Sequence, residues 1–266
     1  MSERVAGGGL KMAALVKYIP DPNGIGIDPA SRGPVFSGTM AVNTYDTYAV
    51  AEAIELKERY GGEVTVVTVG PATAREAILR GLATGADRGI HLQAEADVLA
   101  TLDSLALARL IANRLHGESF DLILAGQQSE DLETGQVGPA VAALLDLPHV
   151  SLVTSLEADT EARTLRIRRD SEGRKQVIGV DLPAMLLMLT GRDGEQRHPT
   201  LKGMIQAKRK PLDVVEVDAA GLGEPVMTWS DPVAPVRERE AIIVDGVPAP
   251  EAAKALAAWL REKHLV

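Results

Sequence analysis

The chain contains no cysteine. That single absence excludes disulfide staples, iron–sulfur clusters, zinc thiolates and a thiol nucleophile, and it fits a reducing cytoplasm. Aromatic residues make up 3% of the 266 positions, so the core must be built mainly from Ala, Val, Leu and Ile. Long apolar runs are missing as well. The longest, residues 139–145 and 184–189, fall short of the ~18 to 20 residues that span a bilayer. The opening MSERVAGGG lacks a signal-peptide apolar region, and residues 1–9 are expected to form a flexible extension. Basic charge is in deficit: 28 Lys and Arg stand against 37 Asp and Glu, a net charge of −9. A nucleic-acid binder needs the opposite balance.

Motifs of common enzymes are lacking too. There is no G-x-x-x-x-G-K-[ST] phosphate loop, no G-x-S-x-G elbow and no H-E-x-x-H. The five histidines, His91, His116, His149, His198 and His264, show no metal-ligand spacing; they read as surface or boundary residues. No catalytic residue and no metal ligand is assigned.

What is present is a repeating strand–helix pattern. Residues 12–16 (MAALV) form a short apolar strand that Pro20 and Pro22 follow. A long loop rich in Gly, Pro, Ser and Asp fills 21–39. A helix over 43–59 opens at Asn43 as N-cap and stops at Gly61-Gly62. VTVVTV at 64–69 suits a strand buried on both faces, and Gly70-Pro71 then opens a helix over 72–83. Further strands are expected at 89–92, 121–125 and 184–189, with helices at 104–115 and 136–145. Such alternation implies βαβ units and a mostly parallel, doubly wound α/β sheet. After Pro148 two strands, 165–169 and 176–180, read as a hairpin. The α/β domain is therefore placed at 10–211. Residues 212–266 form a Pro-rich arm ending in an amphipathic helix over 250–263, expected to pack on another subunit, with folding back on its own domain as the alternative.

The segment GQQSEDLETGQVGP at 126–139 follows the fourth strand, and ligands of open parallel sheets bind beyond the carboxyl ends of the strands. Its small residues let backbone N–H groups approach an anion, at the start of a helix whose dipole favours one. Gln128, Thr134 and Gln136 can donate hydrogen bonds without adding charge. Glu130, Asp131 and Glu133 oppose a phosphate there unless they point away or bind ribose hydroxyls. Local chemistry alone reads equally as a solvated acidic loop capping a helix.

This loop resembles the nucleotide loop of the electron transfer flavoprotein β-subunit, roughly G-x-Q-A-x-D-x-D-x-x-Q-x-G. Gly126, Gln128, Asp131, Gln136 and Gly138 match; Ser129 and Glu133 stand where Ala and Asp are usual. Other stretches agree in order: Val16-Lys17, Asn43, Val69-Gly70-Pro71, Gly85-Ala86-Asp87-Arg88, and RHPTLKGMIQAKRKP from Arg197. Lys202 and Gln206 depart from that last motif, where Pro and Lys are usual. Residues 170–176 and 189–196 also depart from the family's pattern.

The resemblance implies an electron carrier without catalytic residues of its own. Such a β-subunit pairs with an α-subunit, with which it shares FAD. It holds AMP, or a second FAD in electron-bifurcating members, in its own pocket. The heterodimer takes electrons from acyl-CoA-type dehydrogenases and passes them to a quinone reductase at the membrane. The cofactor positions it carries over are Leu15, Asn43, Thr44, Tyr45, Asp46 and Val69. The loop adds Gly126, Gln127, Gln128, Ser129, Glu130, Asp131, Leu132, Glu133, Thr134, Gly135, Gln136 and Val137. The leucine that anchors a dehydrogenase maps onto Leu201, inside a stretch from Arg197 to Lys210 with five Lys or Arg and no acid. Two other readings stand beside this one: a stand-alone adenine-nucleotide-binding enzyme or sensor of the same fold, and a scaffold domain that binds no nucleotide.

Overall fold

Alternation along the strands explains how the chain buries two layers of helices on one sheet. In the computed structural model, which describes residues 9–190, 197–217, 225–228, 230, 232–235 and 243–266, β1 spans Leu10–Leu15. Its Leu10, Met12 and Ala14 enter one core cluster and Ala13 and Leu15 the other. The strand is buried on both faces from Met12 to Leu15, and its one polar residue, Lys11, sits near its start and reaches out to Glu118. The same division holds in β6 (Gly62–Gly70), β8 (Leu122–Gly126) and β12 (Ala184–Met188).

The main sheet has nine strands in the order β11-β10-β9-β12-β8-β1-β6-β7-β13. Here β7 is Arg88–Gln93, β9 His149–Asp159, β10 Thr164–Ser171, β11 Arg174–Asp181 and β13 Leu212–Glu216. From β9 to β13 all neighbours run parallel, while β9, β10 and β11 pair antiparallel. Helices α1 (Thr44–Tyr60) and α2 (Arg75–Thr84) supply Ala53, Ile54, Ile78 and Leu82 to the first cluster. On the other face α4 (Ser104–Leu115) and α5 (Val137–Leu144) supply Ala108, Ile111, Val141 and Ala142. This is the doubly wound α/β architecture.

Several expectations need correction. Residues 21–39 are not a bare loop. Strands β3 (Ile25–Ile27) and β4 (Pro34–Phe36) pair there, and β2 (Tyr18–Pro20) pairs with β5 (Met40–Val42) at its base. Three-residue strands are too short to show a period of two. Strand β9 was not expected, because its alternation is broken: Leu152 has a φ of 61° and the register shifts on both sides. Helix α3 (Ala96–Ala100) is another addition. The sheet also continues past residue 211, since β13 pairs with β7 at the sheet edge. Being half exposed, LDVVE carries too little apolar signal to be read as a strand. His91 is no boundary residue. It is buried in β7 with Nε2 3.1 Å from the Gly70 carbonyl.

Just past β13, the Val217 N–H still donates to the Gln93 carbonyl at 2.8 Å, and further on the arm touches its own chain at two more described places. The Val226 and Met227 N–H groups donate to Asp103 Oδ2 at 2.7 and 3.1 Å, and Ala234 N–H donates to the Arg32 carbonyl at 2.8 Å. Its terminal helix α7 (Ala249–Glu262) has no buried residue, and Leu256 is 55% exposed. The extension over 1–8 and the departing segment at 191–196 lie outside the described residues.

The opposite end of the sheet is tied by one carboxylate. Glu118 accepts from Arg114 Nη1 at 2.7 Å and from Lys11 Nζ at 3.2 Å, with Arg88 at 3.4 Å. Hydrogen bonding from Arg114, with help from Lys11 and Arg88, holds its carboxyl down at about 2. Glu118→Gln is expected to lower stability at pH 7 by about 1 kcal/mol, a value discounted for solvent screening. The depressed native value means this contribution is complete above 4.5 and fades as the pH falls towards about 2. Urea unfolding of both proteins across that range measures the convergence.

Candidate functional site

The strand order reverses beside β1, which has β6 on one side and β8 on the other. Crevices of open α/β sheets form at such a switch point, outside the carboxyl ends of the strands. A cleft of about 950 Å³, counting the space open to solvent, lies there. The ends of β1, β6 and β8 form its floor through Leu15, Val67, Val69 and Ala125, and α4 adds Leu107 and Ile111 as an apolar wall. Polar groups come from the 126–138 loop. This combination of apolar walls with a few convergent polar groups is what small-molecule sites provide.

The key connection is made by Asp46, in the first turn of α1. Its Oδ2 accepts the Lys17 N–H at 2.8 Å and its Oδ1 the Gly126 N–H at 2.9 Å. It thereby joins the ends of β1 and β8. Gly126 must lack a side chain, because a Cβ there would collide with Asp46 Oδ1 and Tyr45. Burial pushes the Asp46 carboxyl up to about 7, against the lowering effect of the Lys17 N–H and its other donors. Asn43 acts in parallel: its Nδ2 donates to the Gln128 carbonyl at 2.9 Å and its Oδ1 accepts the Glu130 N–H at 3.1 Å.

The acidic side chains of the loop turn to other tasks. Glu130 Oε2 accepts the Thr44 N–H at 3.0 Å and so caps α1, while Asp131 pairs with Lys17 Nζ at 2.7 Å. Glu133 holds a left-handed backbone, with φ 53°, in a turn closed by its N–H on the Ser129 carbonyl at 2.8 Å. None of the three is among the residues that line the cleft.

Helix ends at the cleft differ. Asp103 caps α4 by accepting the Ala106 N–H at 2.8 Å. Gln136 gives α5 no side-chain cap, so the first N–H groups of that helix, at Val137 and Gly138, have neither an intrahelical partner nor a cap from it. Gly138 lets α5 sit close to the sheet, since a Cβ would lie 2.5 Å from Leu187 Cδ2. The result is a helix end with free N–H groups at the mouth of an apolar cleft, an arrangement able to receive an anion.

Of the residues carried over from the resemblance, Leu15, Asn43, Asp46, Val69, Gly126, Gln127, Gln128 and Ser129 line the cleft, with Leu132, Thr134, Gly135, Gln136 and Val137. Thr44, Tyr45, Glu130, Asp131 and Glu133 do not. Gln127 is partly committed, its Oε1 accepting the Leu152 N–H at 2.7 Å. Sequence reasoning missed the wall formed by Leu102, Asp103, Ser104, Leu107 and Ile111. Asp103 followed by a run of apolar residues was a legible helix cap, but nothing local said that the cap faces the cleft. Among the described residues, no group of three or more His, Asp or Glu side chains is placed to hold a metal ion. No described helix is long and apolar enough to cross a membrane.

Leu201 lies elsewhere, at the start of α6 (Leu201–Ala207), and is 73% exposed. Thr200 caps this helix through Gly203 N–H at 3.0 Å. Gly203 abuts α2 so closely that a Cβ would collide with the Ala83 carbonyl. Arg197 is bound to Glu58 at 2.6 and 2.8 Å, and Lys210 Nζ donates to the Leu82 carbonyl at 2.8 Å. Two cations of the basic stretch thus fasten it to the domain, and Leu201 is held outward.

Fold and cleft together define a doubly wound α/β protein with a ligand-sized crevice at its switch point. Comparison with known proteins specifies which kind. The electron transfer flavoprotein domain matches residues 36–220. The chain is 36% identical over 234 residues to the electron transfer flavoprotein subunit beta of Bacillus subtilis, covering 85% of this chain and 87% of that one. Protein FixA of Azotobacter vinelandii is 36% identical over 213 residues, 78% of this chain and 75% of its own. The electron transfer flavoprotein subunit beta of Clostridium acetobutylicum is 30% identical over 266 residues, 97% and 100% of the two chains. The chain belongs to the electron transfer flavoprotein family.

Asp46 generates a pH-dependent expectation. Its raised native value means that the folded chain keeps a proton where the unfolded chain, near 3.8, has released it. Its linkage therefore lowers stability as the pH rises from 3.8 to about 7. Asp46→Asn removes that slope but sets an amide N–H₂ against one of two N–H donors, at a cost of about 1 to 3 kcal/mol. The difference in unfolding midpoint between the two proteins should be largest near pH 4, shrink as the pH rises to about 7, and stay level above it. Denaturant titrations at both pH values check it.

Proposed function

We propose that this chain is the β-subunit of a heterodimeric electron transfer flavoprotein, sharing FAD with an α-subunit and holding an adenine nucleotide in the cleft. That nucleotide is AMP or the adenosine end of a second FAD. The observation that carries the reading is the uncapped N-terminus of α5 at the mouth of the apolar cleft. The walls suit a purine, and the helix end and loop backbone suit phosphate. Glu130 and Asp131, which would repel it, are occupied by Thr44 and Lys17. Flavin, when bound, supplies the redox chemistry; the chain contributes position and electrostatics.

Asn43, Asp46 and the cleft-lining part of the loop, 126–129, 132 and 134–137, would hold the nucleotide. Thr44 and Tyr45 stand beside them in the first turn of α1, outside the cleft. The exposed apolar face of α7 favours a subunit that packs on an α-subunit over a stand-alone enzyme or sensor. The arm beyond β13 is accordingly assigned to that contact. Leu201, on a basic segment of an acidic protein, suits transient docking of an acyl-CoA-type dehydrogenase, with charge steering the encounter and a small apolar anchor seating it. A quinone reductase at the membrane is the assigned acceptor and the cytoplasm the assigned compartment.

Co-expression with the neighbouring α-subunit tests this. A yellow heterodimer is expected, releasing FAD and either AMP or a second equivalent of FAD on extraction. A colourless protein that pairs with no α-subunit and retains no nucleotide overturns the proposal. In the heterodimer, Leu201→Ala is expected to slow electron transfer from the dehydrogenase about tenfold, the scale of losing one buried leucine contact. Flavin content should be unchanged; its loss would assign Leu201 to subunit packing instead.

A further inference from the structure

We infer that Lys17 is a positioning residue: by neutralising Asp131 it allows an acidic loop to receive an anionic nucleotide group. The inference rests on the nucleotide reading of the cleft. Residues 126–138 contain three carboxylates, Glu130, Asp131 and Glu133, and no Lys or Arg. A loop of that charge repels phosphate unless something cancels it. Helix α1 engages Glu130 through the Thr44 N–H. Asp131 depends on Lys17, whose Nζ lies 2.8 and 2.7 Å from its two oxygens and 3.3 Å from Ser129 Oγ.

This pair differs from an ordinary surface ion pair in three respects. It is partly buried, the Asp131 side chain being 19% exposed, so water and salt screen it less. Lys17 is also held at its main chain. Its N–H donates to Asp46 at 2.8 Å and its carbonyl accepts the Asn43 N–H at 3.0 Å, so the ammonium starts from a rigid base. Third, Lys17 is the one cation among the described residues lining the cleft. Asp131 sits between Glu130 and Leu132, within two residues of lining Ser129. Removing Lys17 would leave an unpaired carboxylate at the rim where the anion must enter.

Charge cancellation makes a prediction that direct phosphate contact by Lys17 does not: deleting the Asp131 charge should make Lys17 dispensable. The test is a double-mutant cycle on the full chain freed of nucleotide, with AMP and adenosine titrated calorimetrically. Lys17→Met should weaken AMP binding by about tenfold or more, the cost of an uncompensated like charge. Asp131→Asn should bind AMP as well as the unmodified chain or better. Lys17→Met combined with Asp131→Asn should return to within about threefold of the unmodified value. Lys17→Arg, which keeps the charge, should behave as the unmodified chain. Adenosine carries no phosphate, so its affinity should be level across all variants.

A double variant as weak as Lys17→Met overturns the inference and makes Lys17 a direct ligand. Equal loss of AMP and adenosine binding overturns it in favour of a purely structural role. An unmodified chain that binds neither AMP nor FAD overturns the nucleotide reading, and this inference with it. AMP binding that is retained, but without rescue by Asp131→Asn, overturns this inference alone.

Discussion

The cleft depends on one buried carboxylate. Strands β1 and β8 run side by side through Met12 and Leu122 to Ala14 and Leu124, and beyond them the ladder has no further main-chain rungs between the two. Asp46 takes over by accepting one N–H from each strand end. It comes from α1, so a single side chain positions the helix, both strand ends and the start of the loop. Burial raises its carboxyl to about 7, which is the free-energy cost of placing an acid at that junction. The absent side chain at Gly126 follows from the same constraint, because the carboxylate approaches the backbone too closely for a Cβ.

Charge is distributed by the same logic. The chain carries nine more acidic than basic residues, yet its crevice presents the positive end of a helix. That is possible because Glu130 is spent on the α1 terminus and Asp131 on Lys17. Asp103 meanwhile satisfies α4 and the arm together, leaving α5 as the uncapped end. The basic stretch near 200 is organised comparably. Arg197 and Lys210 anchor it to α1 and α2, so that α6 is fixed while Leu201 points to solvent.

Much of the fold was legible because a strand buried on both faces leaves an unmistakable composition. VTVVTV and AMLLM could be little else, and the helix expected at 104–115 is observed as α4, Ser104–Leu115. The loop at 126–138 could be located for the same reason, since it had to follow a buried strand and precede a helix. Legibility failed where one face meets water or the ladder is irregular. Strand β9 has a left-handed residue, Leu152, in its first half, β13 is a half-exposed edge strand, and the strands of the β3–β4 hairpin are three residues long.

The sequence by itself determined the layered α/β architecture, the excluded chemistries and the position of the loop, because those follow from composition and local periodicity. It also left the contradiction of three acids in a segment suited to phosphate. Tertiary structure alone decided that contradiction, by bringing Thr44 and Lys17, more than eighty residues away in the chain, against Glu130 and Asp131. It likewise decided that α4 walls the cleft and that α5 is the end left open. Composition and period report which surfaces must be buried; which charges meet across a sheet is set only when the strands take their order.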